Sequence, residues 1–143
     1  MRFDPRFFEK MPFTEDQVRK NLDNSVKDLG IARRVDIPDV KFNYAYTALI
    51  KAGIALLSRY KIRVRSVPGH QVKVIAKLAQ ILEDDSVGIM GDLMRSKRNR
   101  DLYAGGIEVT EKECREYLEF VEKAVEKAAS VIFCSIRSLE EGS

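Results

Sequence analysis

The sequence has no tryptophan, a single histidine, two cysteines and four prolines in 143 residues. One histidine, with neither a Cys-x-x-Cys nor a His-Glu-x-x-His spacing, supplies no zinc ligand set, so no metal site is expected. A Ser or Cys nucleophile would have His70 alone as its base, which disfavours triad chemistry. Gly88 and Gly91 fall within or beside a helical pattern and lack a downstream Lys-Ser/Thr pair, so there is no Gly-rich phosphate loop. Glu83-Asp84-Asp85 reads as a turn and an acidic helix start rather than a chelate. Nothing in this inventory asks for a cofactor.

Long apolar runs are missing too. The most apolar stretch, 42–58, is interrupted by Lys51 and contains Asn43, Tyr44, Tyr46 and Thr47, which suits a buried core helix better than a membrane span. Met1-Arg2-Phe3-Asp4-Pro5 has no apolar h-region, so neither export by a signal peptide nor a membrane partner is expected. Cys114 and Cys134 fall in one C-terminal helical pattern, where a rise of about 1.5 Å per residue holds them about 30 Å apart. They cannot bridge within that helix, and reduced thiols in a cytoplasmic protein are the simplest expectation.

The composition is 45% hydrophobic and 33% charged, enough for one domain with a real core. A formal charge of +3 and an isoelectric point near 8.9 admit nucleic acid as a partner without demanding it. Residues 1–13 carry Phe3, Phe7, Phe8 and Phe13 among charges and prolines. This N-terminal arm has two open readings, a segment folded onto the body or a docking arm for a second subunit. Residues 14–143 read as one helical-bundle domain.

Thr14-Glu15-Asp16-Gln17 has capping-box spacing, with Phe13 and Val18 placed as a hydrophobic staple. The first helix runs from there to about Arg34, on a stripe of Val18, Leu22, Val26 and Leu29, and Asp36-Ile37-Pro38 ends it. A second helix from about Asp39 to Tyr60 is apolar almost all round and reads as the central one, with Tyr44 among its core residues. Arg59 to Arg65 alternates basic and apolar residues and reads as a basic extended connection rather than a strand. Ser66-Val67-Pro68-Gly69 breaks the chain, and His70 to Glu83 resumes helical spacing. His70 is read as a helix-start residue making a local hydrogen bond.

The fourth helix carries the most unusual content. On a 3.6-residue period, Asp92, Arg95, Arg98, Asn99 and Tyr103 fall on one side, with Val87, Met90, Leu93 and Met94 roughly opposite. Arginine offers a planar fork of donors, Asn an amide and Tyr a hydroxyl, together an oxyanion-binding row. The bland reading is a solvated face on which Asp92 pairs with Arg95. Gly105-Gly106 is suited to cap this helix. Thr110 to Glu113 is a second capping box, opening a long last helix on Cys114, Tyr117, Leu118, Val121, Val125, Ala128, Ile132, Ile136 and Leu139. Glu119, Glu122, Lys123, Glu126 and Lys127 read as its solvated outer face. The fold class is all-α, an antiparallel up-and-down bundle of four to five helices.

Arg98-Asn99-Arg100-Asp101-Leu102-Tyr103 resembles the Arg-Asn-x-x-x-His/Tyr signature of HEPN domains (higher eukaryotes and prokaryotes nucleotide-binding). Arg95 and Lys97 precede it as basic residues do there. Tyr44-Ala45-Tyr46-Thr47-Ala48-Leu49, the basic link to Arg65, and Val67-Pro68-Gly69-His70 opening a helix extend the resemblance to the small prokaryotic branch, over about residues 14–138. It implies a HEPN-like bundle that dimerises with its motif helices facing, often a metal-independent ribonuclease partnered by a nucleotidyltransferase-like antitoxin. On that resemblance Arg98, Asn99 and Tyr103 are the catalytic set, with Arg98 on the phosphate, Asn99 orienting the site, and Tyr103 in the place of the proton-transferring His. Arg95, Lys97, Arg98 and Arg100 would bind RNA or a nucleotide phosphate. Tyrosine, with an ordinary pKa near 10, is a poor general base at neutral pH. A noncatalytic binding or dimerisation module with a basic motif helix is therefore the alternative.

Overall fold

The computed structural model describes residues 1–104 and 109–141, with side chains for 1–100 and 109–134. Among the described residues the chain is 75% helical, with five helices and one two-stranded sheet, an all-α bundle as the periodicity predicts. In order the elements are β1 (Phe8–Lys10), α1 (Glu15–Arg34), α2 (Pro38–Arg59), β2 (Ile62–Val64), α3 (His70–Leu82), α4 (Asp85–Ala104) and α5 (Glu111–Glu141).

Caps written in the sequence set most boundaries. The Thr14 hydroxyl accepts from Gln17 N at 3.2 Å while the Gln17 side chain accepts from Thr14 N at 2.8 Å. The Thr110–Glu113 pair repeats this box at α5, at 3.1 and 3.4 Å. Each box satisfies two N–H groups that the first helical turn leaves without partners. Pro38 opens α2, where its missing N–H costs nothing. Glu83 closes α3 in the left-handed region at φ 52°, and Asp84 then accepts from Ser86 N at 3.0 Å to start α4.

The core surrounds α2, against which α1, α3 and α5 pack. Phe42, Tyr46, Leu49 and Leu56 of α2 are fully buried with Ile75, Leu78, Val121 and Ile132. The expected stripe of α1 is corrected at one position: Val26 is exposed and Ser25 is buried in its place. The Ser25 hydroxyl donates to the Ala48 carbonyl at 2.7 Å, so a small polar residue lets α1 lie close to α2 without leaving its hydroxyl unpaired. Tyr44 is likewise exposed rather than in the core.

Two glycines bring α3 inward. A Cβ on Gly53 would stand 2.5 Å from Val74 Cγ1, and one on Gly91 would stand 2.7 Å from Ile75 Cγ2. Both distances are below van der Waals contact, so α3 seats against α2 and α4 only because those positions lack side chains. Lys127 of α5 ties to Asp84 at 2.6 Å, and Glu122 to Arg33 at 2.9 Å. The charged face of α5 is solvated as expected at Glu119, Lys123, Glu126 and Lys127, and Glu122 and Lys127 also hold partners outside the helix.

The basic link after α2 is a strand, which corrects the expectation of an unpaired connection. Ile62, Arg63 and Val64 pair antiparallel with Lys10, Glu9 and Phe8. Arg63 and Arg65 reach the Glu9 carboxylate at 2.8 and 3.2 Å, while Phe8 and Ile62 are buried with Leu57. Of the two readings of the arm, the structure has it folded onto the body. Phe3 meets Phe8 edge to face at 5.5 Å, and the Lys73 and Lys77 ammonium groups lie over Phe7 and Phe3. Among the described residues no helix is long and apolar enough to cross a membrane, and no disulfide joins Cys114, which is buried, to Cys134, which is exposed.

Candidate functional site

The rotation of α4 about its axis differs from the expected one, and the difference builds the site. Val87, Gly91 and Met94 face the core, while Leu93, expected with them, is 51% exposed and Ile89 65% exposed. Four residues beyond Met94 comes Arg98, so the inward line ends on a guanidinium rather than on an apolar side chain. That group lies over the ring of Tyr46, 5.3 Å from its centroid. A cation against an aromatic face is stabilised by the ring quadrupole, by about 0.5–2 kcal/mol depending on desolvation. Arg98 is therefore partly buried on the α2 wall.

Tyr46 is itself fully buried, and its hydroxyl donates to Gln71 Oε1 on α3 at 2.6 Å. Burial pushes its pKa up to about 12, against the opposing pull of Arg98 and Arg95. It stays protonated at neutral pH and acts as a donor that joins α2, α3 and the underside of α4.

Arg95, about a turn before Arg98, and Asn99, the residue after it, face a cleft of about 380 Å³ whose other wall is the segment Ser66–Val72. Pro68 and Gly69 shape that wall. Gly69 at φ 82°, ψ 1° takes the left-handed third position of a type II turn, which a Cβ would strain, and His70 N closes the turn on the Val67 carbonyl at 3.1 Å. The same carbonyl accepts from His70 Nδ1 at 2.8 Å, the local hydrogen bond expected of this histidine. Gly69 caps α3 without a side chain, so α3 begins beside Arg95 with no side-chain acceptor on its first turn.

Arg95 also touches Asp92, Nε to Oδ1 at 3.4 Å, the pair that the bland reading anticipated. The contact is long and spends one of five guanidinium N–H groups. Lys97 lies on the other flank of α4 and binds Glu113 at 2.9 Å, holding the Glu113 carboxyl below its ordinary pKa together with the Thr110 cap. Its ammonium fastens α4 to the start of α5. Arg100 is exposed. Tyr103 lies on α4 and Ile136 and Leu139 on α5, but their side chains are not among those described, and Gly105-Gly106 of the expected cap lie outside the described residues.

The structure thus brings Arg95 and Asn99 together in one cleft, sets Arg98 behind it against Tyr46, and directs Lys97 elsewhere. The cleft also takes in His70, Gln71 and Ser66, which sequence reading did not connect to the basic run. The one available signal was the Pro-Gly turn, which marks where His70 starts a helix but not which helix lies opposite. Among the described residues no group of three or more His, Cys, Asp or Glu is arranged to hold a metal ion. Compared with protein-family models, with curated protein sequences and with solved structures, the chain gives no match in any of the three.

Proposed function

We propose that this chain is a HEPN-like bundle whose α3–α4 cleft binds RNA or a nucleotide phosphate and cleaves RNA without a metal. The observation that carries the reading is the convergence of Arg95 and Asn99 on the uncapped first turn of α3, across a cleft of about 380 Å³. A guanidinium, an amide and helix-start N–H groups are all donors, and a phosphodiester is all acceptor. Arg98 and Asn99 match the family signature residue for residue, and Tyr103 stands where its His stands. Arg98 holds the back wall and lends positive charge. Arg100, exposed on the same basic run, adds to the field that draws in a polyanion, whereas the Lys97 charge is engaged by Glu113. A homodimer with a nucleotidyltransferase-like antitoxin as further partner completes the reading, and the exposed Ile89 and Leu93 on the outward face of α4 are suited to a second protein surface.

The second reading is a noncatalytic phosphate-binding module. It is favoured by one feature, the tyrosine in the place of the histidine. The test is RNA cleavage in the presence of chelator by wild type, Arg95→Ala, Arg98→Ala and Tyr103→His, with binding measured on the same samples. Wild-type cleavage that falls in Arg95→Ala, with binding weakened about 10- to 100-fold for the loss of one charged contact, supports the ribonuclease. Wild-type binding without cleavage, and cleavage gained in Tyr103→His, establishes the binding module instead. Wild type that neither binds nor cleaves leaves Arg95 as a surface ion-pair partner and sinks the proposal.

A further inference from the structure

Resting on the cleft reading above, we infer that His70 is the proton acceptor of this site, taking on from α3 the role that the motif helix gives to Tyr103. Three observations carry it. His70 lines the same cleft as Arg95 and Asn99. Its Nδ1 lies 2.8 Å from the Val67 carbonyl, and a carbonyl only accepts, so Nδ1 bears the hydrogen and the neutral ring carries its lone pair on Nε2. The ring is also held from its own backbone, because the type II turn closed by His70 N fixes where the imidazole starts. A histidine with one nitrogen tied to a carbonyl acceptor and the other free is oriented as a general base is in other hydrolytic sites. Tyr46 cannot serve, since burial keeps it protonated and its hydroxyl donates to Gln71.

The step this assigns is attack of a ribose 2′-hydroxyl on the adjacent phosphorus. Nε2 of His70 takes the 2′-hydroxyl proton as the O2′–P bond forms and the P–O5′ bond breaks. The departing 5′-oxygen leaves with a proton from water, and His70 returns its own proton to solvent. The products are a 2′,3′-cyclic phosphate and a 5′-hydroxyl, with no change of oxidation state and no other reactant. Because the proton removed belongs to the 2′-hydroxyl, the substrate class is RNA, and an oligonucleotide with a 2′-deoxy residue at the scissile position is bound but not cut.

The experiment is a comparison of wild type, His70→Ala, His70→Gln and Arg95→Ala on a single-stranded RNA in chelator, with binding, thermal unfolding and added imidazole as further readouts. The expected result is a 10²- to 10⁴-fold loss of cleavage in both His70 variants with RNA binding within a few-fold of wild type. Imidazole should restore part of the activity of His70→Ala and none of that of Arg95→Ala. His70→Gln keeps a polar group at the helix start, so it reports on chemistry even where His70→Ala unfolds. Cleavage at the wild-type rate in His70→Gln, with loss in Arg95→Ala, overturns the role of His70 and leaves the cleft reading standing. A wild type that does not cleave RNA overturns the cleft reading as a ribonuclease and this inference with it.

Discussion

At the scale of single residues, Tyr46 shows how one buried polar group joins the core to the site. Its ring supports Arg98 and its hydroxyl is spent on Gln71, so it positions both walls of the cleft without entering it. Its pKa is raised from near 10 to about 12 by burial, and the sign of the resulting pH dependence follows. Between those values the folded chain keeps a proton that the unfolded chain has released, so this contribution is whole below pH 10 and is lost as pH rises towards 12. In Tyr46→Phe the ring remains and the titration disappears. Denaturation midpoints measured from pH 9 to 11 should fall less steeply for the variant than for wild type, while at pH 7 the variant is less stable by about 1 kcal/mol for the lost hydrogen bond. Parallel slopes would show that Tyr46 ionises as it does in the unfolded chain.

At the scale of elements, α4 is positioned by what it lacks. Gly91 lets the helix approach Ile75 so closely that a methyl group does not fit, and Arg95 and Asn99, one and two turns further on, come level with the Pro68-Gly69 turn. Gly91→Ala sets two effects against each other. Alanine favours the helix by about 1 kcal/mol over glycine, and forcing the β-branched Ile75 aside costs about 1–3 kcal/mol. The expected outcome is a net loss of about 1 kcal/mol in chemical denaturation together with weaker RNA binding, because the cleft walls separate. A variant more stable than wild type would mean that α3 yields easily and that the close approach is not what sets the cleft.

Element boundaries were largely legible in the sequence, and element facing was not. The Thr14 and Thr110 boxes, Pro38 and the Pro68-Gly69 turn act within a few residues, so spacing alone predicts them. Val26, Leu93 and Tyr44 read as inward because they are apolar or aromatic and near the right phase, yet all three are exposed. A step of 100° per residue leaves neighbouring positions close competitors, and Ser25 and Arg98 won because a carbonyl and an aromatic ring waited for them across the interface. The strand at 62–64 was missed for a related reason. Its ladder partners lie at Phe8–Lys10, far away in sequence, and a short basic run has no pairing of its own.

At the scale of the whole molecule, the bundle offers one face of α4 to the cleft and another to its surroundings. Ile89 and Leu93 are the exposed apolar residues of that outward face, and the proposed homodimer would cover them. Ile89→Glu combined with Leu93→Glu should halve the mass seen by sedimentation while leaving helix content unchanged. If wild type is already a monomer at working concentrations, or the double variant stays dimeric, that face is not the interface.

Local patterning was enough to make the chain helical, to place most helix starts, to put the basic run on a helix, and to keep its thiols from pairing within α5. Those properties depend on periodicity, caps and turn residues, which act locally. The rotation of α4, the seat of Arg98 on Tyr46, and the cleft that His70 shares with Arg95 and Asn99 come from packing between elements. Each of those depends on the fit of α2, α3 and α4 around Gly53 and Gly91, and packing between elements distant in sequence is settled by complementary shape and buried hydrogen bonds that no single segment contains.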